Sequence, residues 1–164
     1  MAASSVHHSK ESNAHYYAKL TFRNWCEKTF EYNRIHGYKN VLSHLEWNGA
    51  CPLLEYPIYS KRLADGSKDI LGLKIAWDHY PSEDQIKDGQ LRTEAVIDLV
   101  LCDNGRPKYG IEIVHKHPCS AAKRTFLAGL RTAGYDFTVY EVSAEWILDQ
   151  LHGHVPKILN MVKL

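Results

Sequence analysis

Apolar residues recur along this chain with two different periods, and the switches between them mark its elements. From Ala14 to Tyr32 the period is helical. At about 100° per residue, Ala14, Ala18, Phe22, Trp25, Thr29 and Tyr32 fall within an arc of about 80°. A helix capped by Ser9 or Ser12 is expected to run to about Arg34, with Gly37 stopping it. Glu11 falls inside the same arc, so this acid is expected to point towards the core.

Downstream the pattern shortens. "VLSHLEW" (Val41–Trp47) predicts a short helix or turn, and "LLEYPIYS" (Leu53–Ser60) a strand that Pro57 would favour at a sheet edge. After the loop "LADGSKD", "ILGLKIAW" (Ile70–Trp77) predicts a second strand, and "PSEDQIKDG" a surface turn or one helical turn. "EAVIDLVLC" (Glu94–Cys102) is nearly continuously apolar, as a central strand should be. "DNGRPK" then turns the chain, and "YGIEIVHK" (Tyr109–Lys116) returns antiparallel. A helix from Pro118 to about Ala133, ended by Gly134, leads to a strand "FTVYEV" (Phe137–Val142) and a last helix "AEWILDQLH" capped by Ser143. The order α-β-β-β-β-α-β-α predicts an α/β (α+β) fold, with a central mixed sheet of four to five strands flanked by helices.

Length and composition add bounds. At 164 residues, 45% apolar and 24% charged, the chain is expected to form one globular domain over residues 10–164, after a disordered stretch at 1–9. No apolar run approaches the roughly 18 residues needed to cross a membrane, and the first residues lack a signal peptide's apolar stretch. Cys26, Cys51, Cys102 and Cys119 are scattered, which predicts free thiols in a reducing cytoplasm and argues against a zinc-stabilised module. A net charge of +1 supplies no global basic field, so charge alone decides nothing about nucleic acid.

The candidate chemistry lies in the hairpin. Asp98 and Glu112 each interrupt an apolar strand, and an unpaired carboxylate buried in a strand costs several kcal/mol. A two-residue Asn104-Gly105 turn would pair Asp98 with Ile111 and send Glu112 to the wrong face. A three-residue loop, or a bulge near Gly105, would set Asp98 opposite Glu112, with carbons beta about 4.5–5.5 Å apart. Two carboxylates that close need a proton or a cation between them, and the hard-cation solution is Mg²⁺ or Mn²⁺. Separate Lys or Arg partners, or water at a strand end, would serve equally.

The span from Asp98 to Val142 resembles the PD-(D/E)XK nuclease superfamily, in its competence-protein (CoiA-like) branch. The residues that carry this are "IDLVL", "YGIEIVHKHPCSAAK" and "FTVYEV". "ESNAHYYAKL" resembles the family's opening helix through Glu11, His15 and Lys19, whereas residues 37–91 match only loosely. The resemblance implies a restriction-endonuclease-like core and a divalent-metal-dependent DNA endonuclease. It implies Mg²⁺ or Mn²⁺ held by Asp98, Glu112 and the Ile113 carbonyl, with Glu11 adding a direct or water-mediated contact. His117, at the strand-to-helix junction, would touch the phosphate or a carboxylate.

One departure matters. The family's usual lysine stands two residues after the glutamate, where this chain has Val114. Lys116 is four residues on, about 13 Å along a strand, which is beyond a lysine's reach. Lys123, on the following helix where the branch places its relocated lysine, is the better candidate to orient water or stabilise the transition state. Lys116, Arg124, Lys108 and Arg131, with Arg106, are candidates to grip DNA phosphates. Glu94 is either an extra ligand or a solvated strand end. The missing lysine also favours a rival reading, an inactive nucleic-acid-binding or assembly module of this fold. The sequence leaves a homodimer open.

Overall fold

The computed structural model describes residues 12–37, 41–42, 45–46, 52–76, 81–151 and 161–164. Its elements run α1 (Asn13–His36), β1 (Val41–Leu42), β2 (Leu45–Glu46), β3 (Leu53–Arg62), β4 (Lys68–Leu71), α2 (Glu83–Lys87), β5 (Arg92–Asp103), β6 (Arg106–Val114), α3 (Ala121–Thr132), β7 (Thr138–Ser143), α4 (Ala144–Gln150) and β8 (Met161–Lys163). The fold is mixed α/β, as the pattern predicts. Its sheet is larger than expected, with six strands in the order β4-β3-β5-β6-β7-β8. Only β6 and β7 run parallel. The expected disorder at residues 1–9, and Glu11, lie outside the described residues.

Local chemistry sets the boundaries. Ser12 caps α1 by accepting the His15 N–H at 3.2 Å, and Gly37, at φ +71°, returns its N–H to Asn33. Within the expected short helix or turn at Val41–Trp47, the described residues Val41–Leu42 and Leu45–Glu46 are instead strands paired antiparallel as β1 and β2. Strand β4 stops at Leu71, well short of Trp77. There Gly72 turns the chain at φ +100° and its carbonyl accepts the Tyr56 hydroxyl at 2.5 Å. Pro57 does not lie on an outer strand, because β3 sits between β4 and β5. The β3–β4 ladder covers only Tyr59–Arg62, however, so at Pro57 the strand has a ladder partner on one side alone. Helix α3 begins at Ala121 rather than Pro118, since Ser120 supplies the cap by accepting the Lys123 N–H at 3.2 Å.

Each face of the sheet is covered. Leu99, Leu101, Ile111, Ile113 and Val142 pack under Phe22 and Trp25 of α1 and Ile147 of α4. Ile58, Ile97, Val100, Phe137 and Val139 pack under Leu127 and Leu130 of α3. Strand β5 therefore changes face at Asp98: Ile97 belongs to one core and Leu99 to the other. An unbroken period of two, with Val96, Asp98 and Val100 on one side, does not hold. No helix among the described residues is long and apolar enough to cross a membrane.

Gly110 lies where β6 passes closest to the α3-side core. A Cβ there would come within 2.9 Å of the Phe137 ring and 3.1 Å of Ile97 and Val139. Gly110→Ala should therefore cost about 1–3 kcal/mol through overpacking. The readout is a lower urea midpoint at an unchanged slope; an unchanged midpoint would show that the core has room to give.

Candidate active site

The site forms where β5 and β6 part. Their turn is the two-residue Asn104-Gly105 form, with both residues at positive φ (51° and 76°), and it pairs Asp103 with Arg106. A bulge between Leu101 and Cys102 then shifts the register by one, so that Val100 faces Gly110 and Leu99 faces Ile111. Extending that register brings Asp98 to Glu112. The ladder itself ends at Leu99–Ile111, whereas β5 continues beside β3 to Arg92 and β6 beside β7 to Val114. Asp98 fills the gap, and its Oδ2 accepts the Ile113 N–H at 2.8 Å.

The two carboxyls lie close enough to act on each other electrostatically. Burial, and then the adjacent Asp98 charge, push the Glu112 carboxyl up to about 8, against the pull of the Lys123 ammonium. Burial also acts to raise Asp98, but the hydrogen bonds from His15 and the Ile113 N–H outweigh it and hold that carboxyl below its ordinary range. The pair therefore keeps its proton on Glu112 and its negative charge on Asp98. Lys123 reaches back from the first turn of α3, donating to the Val96 carbonyl at 2.6 Å and pairing with Glu112 Oε1.

Helix α1 closes the other side. His15 Nε2 lies 3.2 Å from Asp98 Oδ2 and 3.1 Å from the Ile113 carbonyl. Both are acceptors, so Nε2 carries a hydrogen and donates to the pair. One turn on, buried Lys19 pairs with Glu55. Glu55 stands across from Asp98, between the pairs Leu54–Leu99 and Tyr56–Ile97, at φ +50°. A non-glycine residue held there costs about 1–3 kcal/mol. An ion pair with a half-exposed partner returns about 1 kcal/mol or less. Lys19 stands in the opening-helix resemblance, but its pairing with Glu55 was not legible, because Glu55 lies on another element, β3, and nothing in the pattern brings the two together.

A second buried acid was missed. Glu141, 6% exposed, lies on β7 directly in register with Glu112. It accepts the Cys119 N–H at 3.0 Å and pairs with Arg124, whose Nε donates to the Cys119 carbonyl at 3.2 Å. The signal was present in "FTVYEV", where Glu141 breaks an apolar strand as Glu112 breaks its own. Arg124 is thus engaged with a buried carboxylate rather than turned outward for DNA.

Other candidates lie elsewhere. Lys116, at φ +66°, tips a three-residue turn closed by the His117 N–H to His115 carbonyl bond of 2.8 Å, and both Lys116 and His117 are exposed. Lys108 stands near the hairpin turn, 3.7 Å from Asp103 and over the Tyr109 ring. Arg106 opens β6 beside that turn and Arg131 lies in the last turn of α3, both exposed. Glu94 is neither a ligand at this cleft nor a solvated end: it accepts from Ser60 at 2.6 Å and Lys68 at 3.1 Å.

Among the described residues, no three His, Cys, Asp or Glu side chains group as a metal-ligand set. Asp98 and Glu112 supply two hard oxygen donors, and the Ile113 carbonyl is a third. His15 Nε2 touches both Asp98 Oδ2 and that carbonyl, so those two oxygens lie close together, while Glu112 Oε1, in ion-pair contact with Lys123, has no hydrogen-bond partner. This all-oxygen donor set suits Mg²⁺ or Mn²⁺.

The raised Glu112 carboxyl makes a prediction about the cation-free protein. The folded state holds a proton that the unfolded chain releases at lower pH. Glu112 therefore contributes stability that is fully present below its ordinary range and is lost as the pH rises through about 8. Between about pH 6 and pH 9 in chelator, the wild-type melting temperature should fall more steeply than that of Glu112→Gln. Parallel curves for the two proteins would contradict the assignment of the proton to Glu112.

No protein-family model, no curated protein and no solved structure matches this chain, so its functional reading stands on the residues and geometry described above.

Proposed function

We propose that the chain is a divalent-cation-dependent endonuclease that hydrolyses DNA phosphodiester bonds. The observation that carries this reading is the meeting of Asp98 and Glu112 in the cleft between parting strands, with Lys123 reaching over them from α3. Asp98, Glu112 and the Ile113 carbonyl would hold Mg²⁺ or Mn²⁺, and Glu11 joins the proposal on its sequence position alone. When bound, such a cation lowers the pKa of a water and neutralises charge on the scissile phosphate.

The chain's own residues do the rest. The Ile113 N–H and His15 fix Asp98, so the carboxylate is pre-set rather than recruited. Lys123 Nζ, anchored on the Val96 carbonyl, supplies a positive charge that orients water and stabilises the negative charge building on phosphate. Lys116, exposed at the turn tip, would serve DNA binding rather than chemistry. Free thiols at Cys26, Cys102 and Cys119 fit a reducing, cytoplasmic setting.

A second reading is an inactive nucleic-acid-binding or assembly module. It is favoured by one observation: His15 and the Ile113 N–H already hold Asp98, and Lys123 already pairs with Glu112, without a cation. Incubating the protein with duplex, branched and single-stranded DNA, with Mg²⁺, Mn²⁺ or chelator, separates the two. Cation-dependent cutting should fall at least about 1,000-fold in Asp98→Asn and about 100-fold in Lys123→Ala, with melting temperatures little changed. Lys116→Ala should weaken DNA binding, with a shallower salt dependence, and leave the rate on bound DNA intact. DNA binding without cutting under any cation would favour the inactive module.

A further inference from the structure

We propose that Glu141 is a positioning residue for Lys123, acting through Arg124 and the backbone of Cys119. The inference rests on the reading of the cleft as a phosphodiesterase site. Two ion pairs stand side by side: Lys123 with Glu112 on β6, and Arg124 with Glu141 on β7. The acids are register partners on parallel strands, and the bases are consecutive residues of α3. Only the first pair touches the cleft carboxylates.

Glu141 is placed to do something other than chemistry. Its Oε2 accepts the Cys119 N–H at 3.0 Å, its Oε1 takes Arg124, and Arg124 Nε closes the loop on the Cys119 carbonyl at 3.2 Å. These contacts tie the connector between β6 and α3 to the middle of β7. One residue after Cys119, Ser120 caps α3, and its cap is the Lys123 N–H itself. The path from Glu141 to the Lys123 backbone is thus two hydrogen bonds joined by the Cys119–Ser120 peptide bond. An arginine suits the role because its planar fork presents separate nitrogens, in fixed geometry, to the carboxylate and to the carbonyl.

Lysine reactivity tests this without relying on nuclease activity. With limiting acetic anhydride and peptide mass spectrometry, Lys123 in the wild type should react more slowly than exposed Lys116. In Glu141→Gln, which preserves shape, Lys123 should react at least about fivefold faster, while buried Lys19, on another element, stays protected. Arg124→Gln should do the same and covers the case in which the first variant fails to fold. In single-turnover cleavage, either variant should lose about 10- to 100-fold in rate with DNA affinity nearly unchanged.

Unchanged Lys123 labelling in both variants would overturn the proposal and leave Glu141–Arg124 as a structural ion pair. A loss of DNA affinity at an unchanged cleavage rate would overturn it too, by making Arg124 a DNA contact. Absence of cleavage by the wild type would instead refute the nuclease reading, while the labelling still decides whether Glu141 sets the position of Lys123.

Discussion

Strand β5 leaves β6 at Leu99, and from there a buried backbone donor needs a new partner. A backbone N–H without an acceptor costs about as much as a lost hydrogen bond. The Ile113 N–H finds the Asp98 carboxylate at 2.8 Å, a side chain standing where a ladder carbonyl would otherwise be. Several features follow from that exchange. The carboxylate is fixed by the fold rather than by a rotamer choice. Glu112, one residue before the donor, is buried beside that charge, and its burial first and the Asp98 charge second push its carboxyl up.

Charge balance then passes to the helices. α1 delivers His15 and Lys19 one turn apart, the first to Asp98 and the second to Glu55, so one helical face serves two neighbouring strands. α3 delivers Lys123 and Arg124 from adjacent positions to adjacent strands. Neighbouring strands are about 4.8 Å apart, and two long side chains leaving a helix at about 100° to each other can span that gap. None of these four basic groups depends on the chain's overall charge, which is why a net charge of +1 said nothing about the site.

Much of this was legible in the residues, for definable reasons. Helix α1 and the core strands followed from periodicity, and Asp98 and Glu112 stood out because each interrupts an apolar strand. A length argument counted against Lys116, and Lys123 was reached through the family resemblance, whose branch carries its relocated lysine on the following helix. A bulge was one of the two ways to bring Asp98 opposite Glu112, but its place at Leu101–Cys102, behind a tight Asn-Gly turn, was not readable until the strands were paired. The change of face at Asp98 was hidden for the same reason: it comes from the paired geometry of β3 and β5, with Glu55 at φ +50°. β8 lay beyond the reach of pattern, being three residues long and held by β7.

The placement of Lys123 and Arg124 runs against the field of their own helix. A helix N-terminus carries partial positive charge and favours acids, yet the first turn of α3 contains none. Two cations there are unfavourable for the isolated helix. They become favourable only because Glu112 and Glu141 pair with them from the sheet, supplying the acids that the helix sequence omits. Helix and sheet therefore compensate each other: the buried acids need the bases, and the bases need the acids to sit at that end. A lysine kept where its own helix repels it, pointing at a half-neutralised pair of carboxyls, is a poor device for stability alone. It suits the proposed function better, which asks for a positive charge held ready over the two carboxyls.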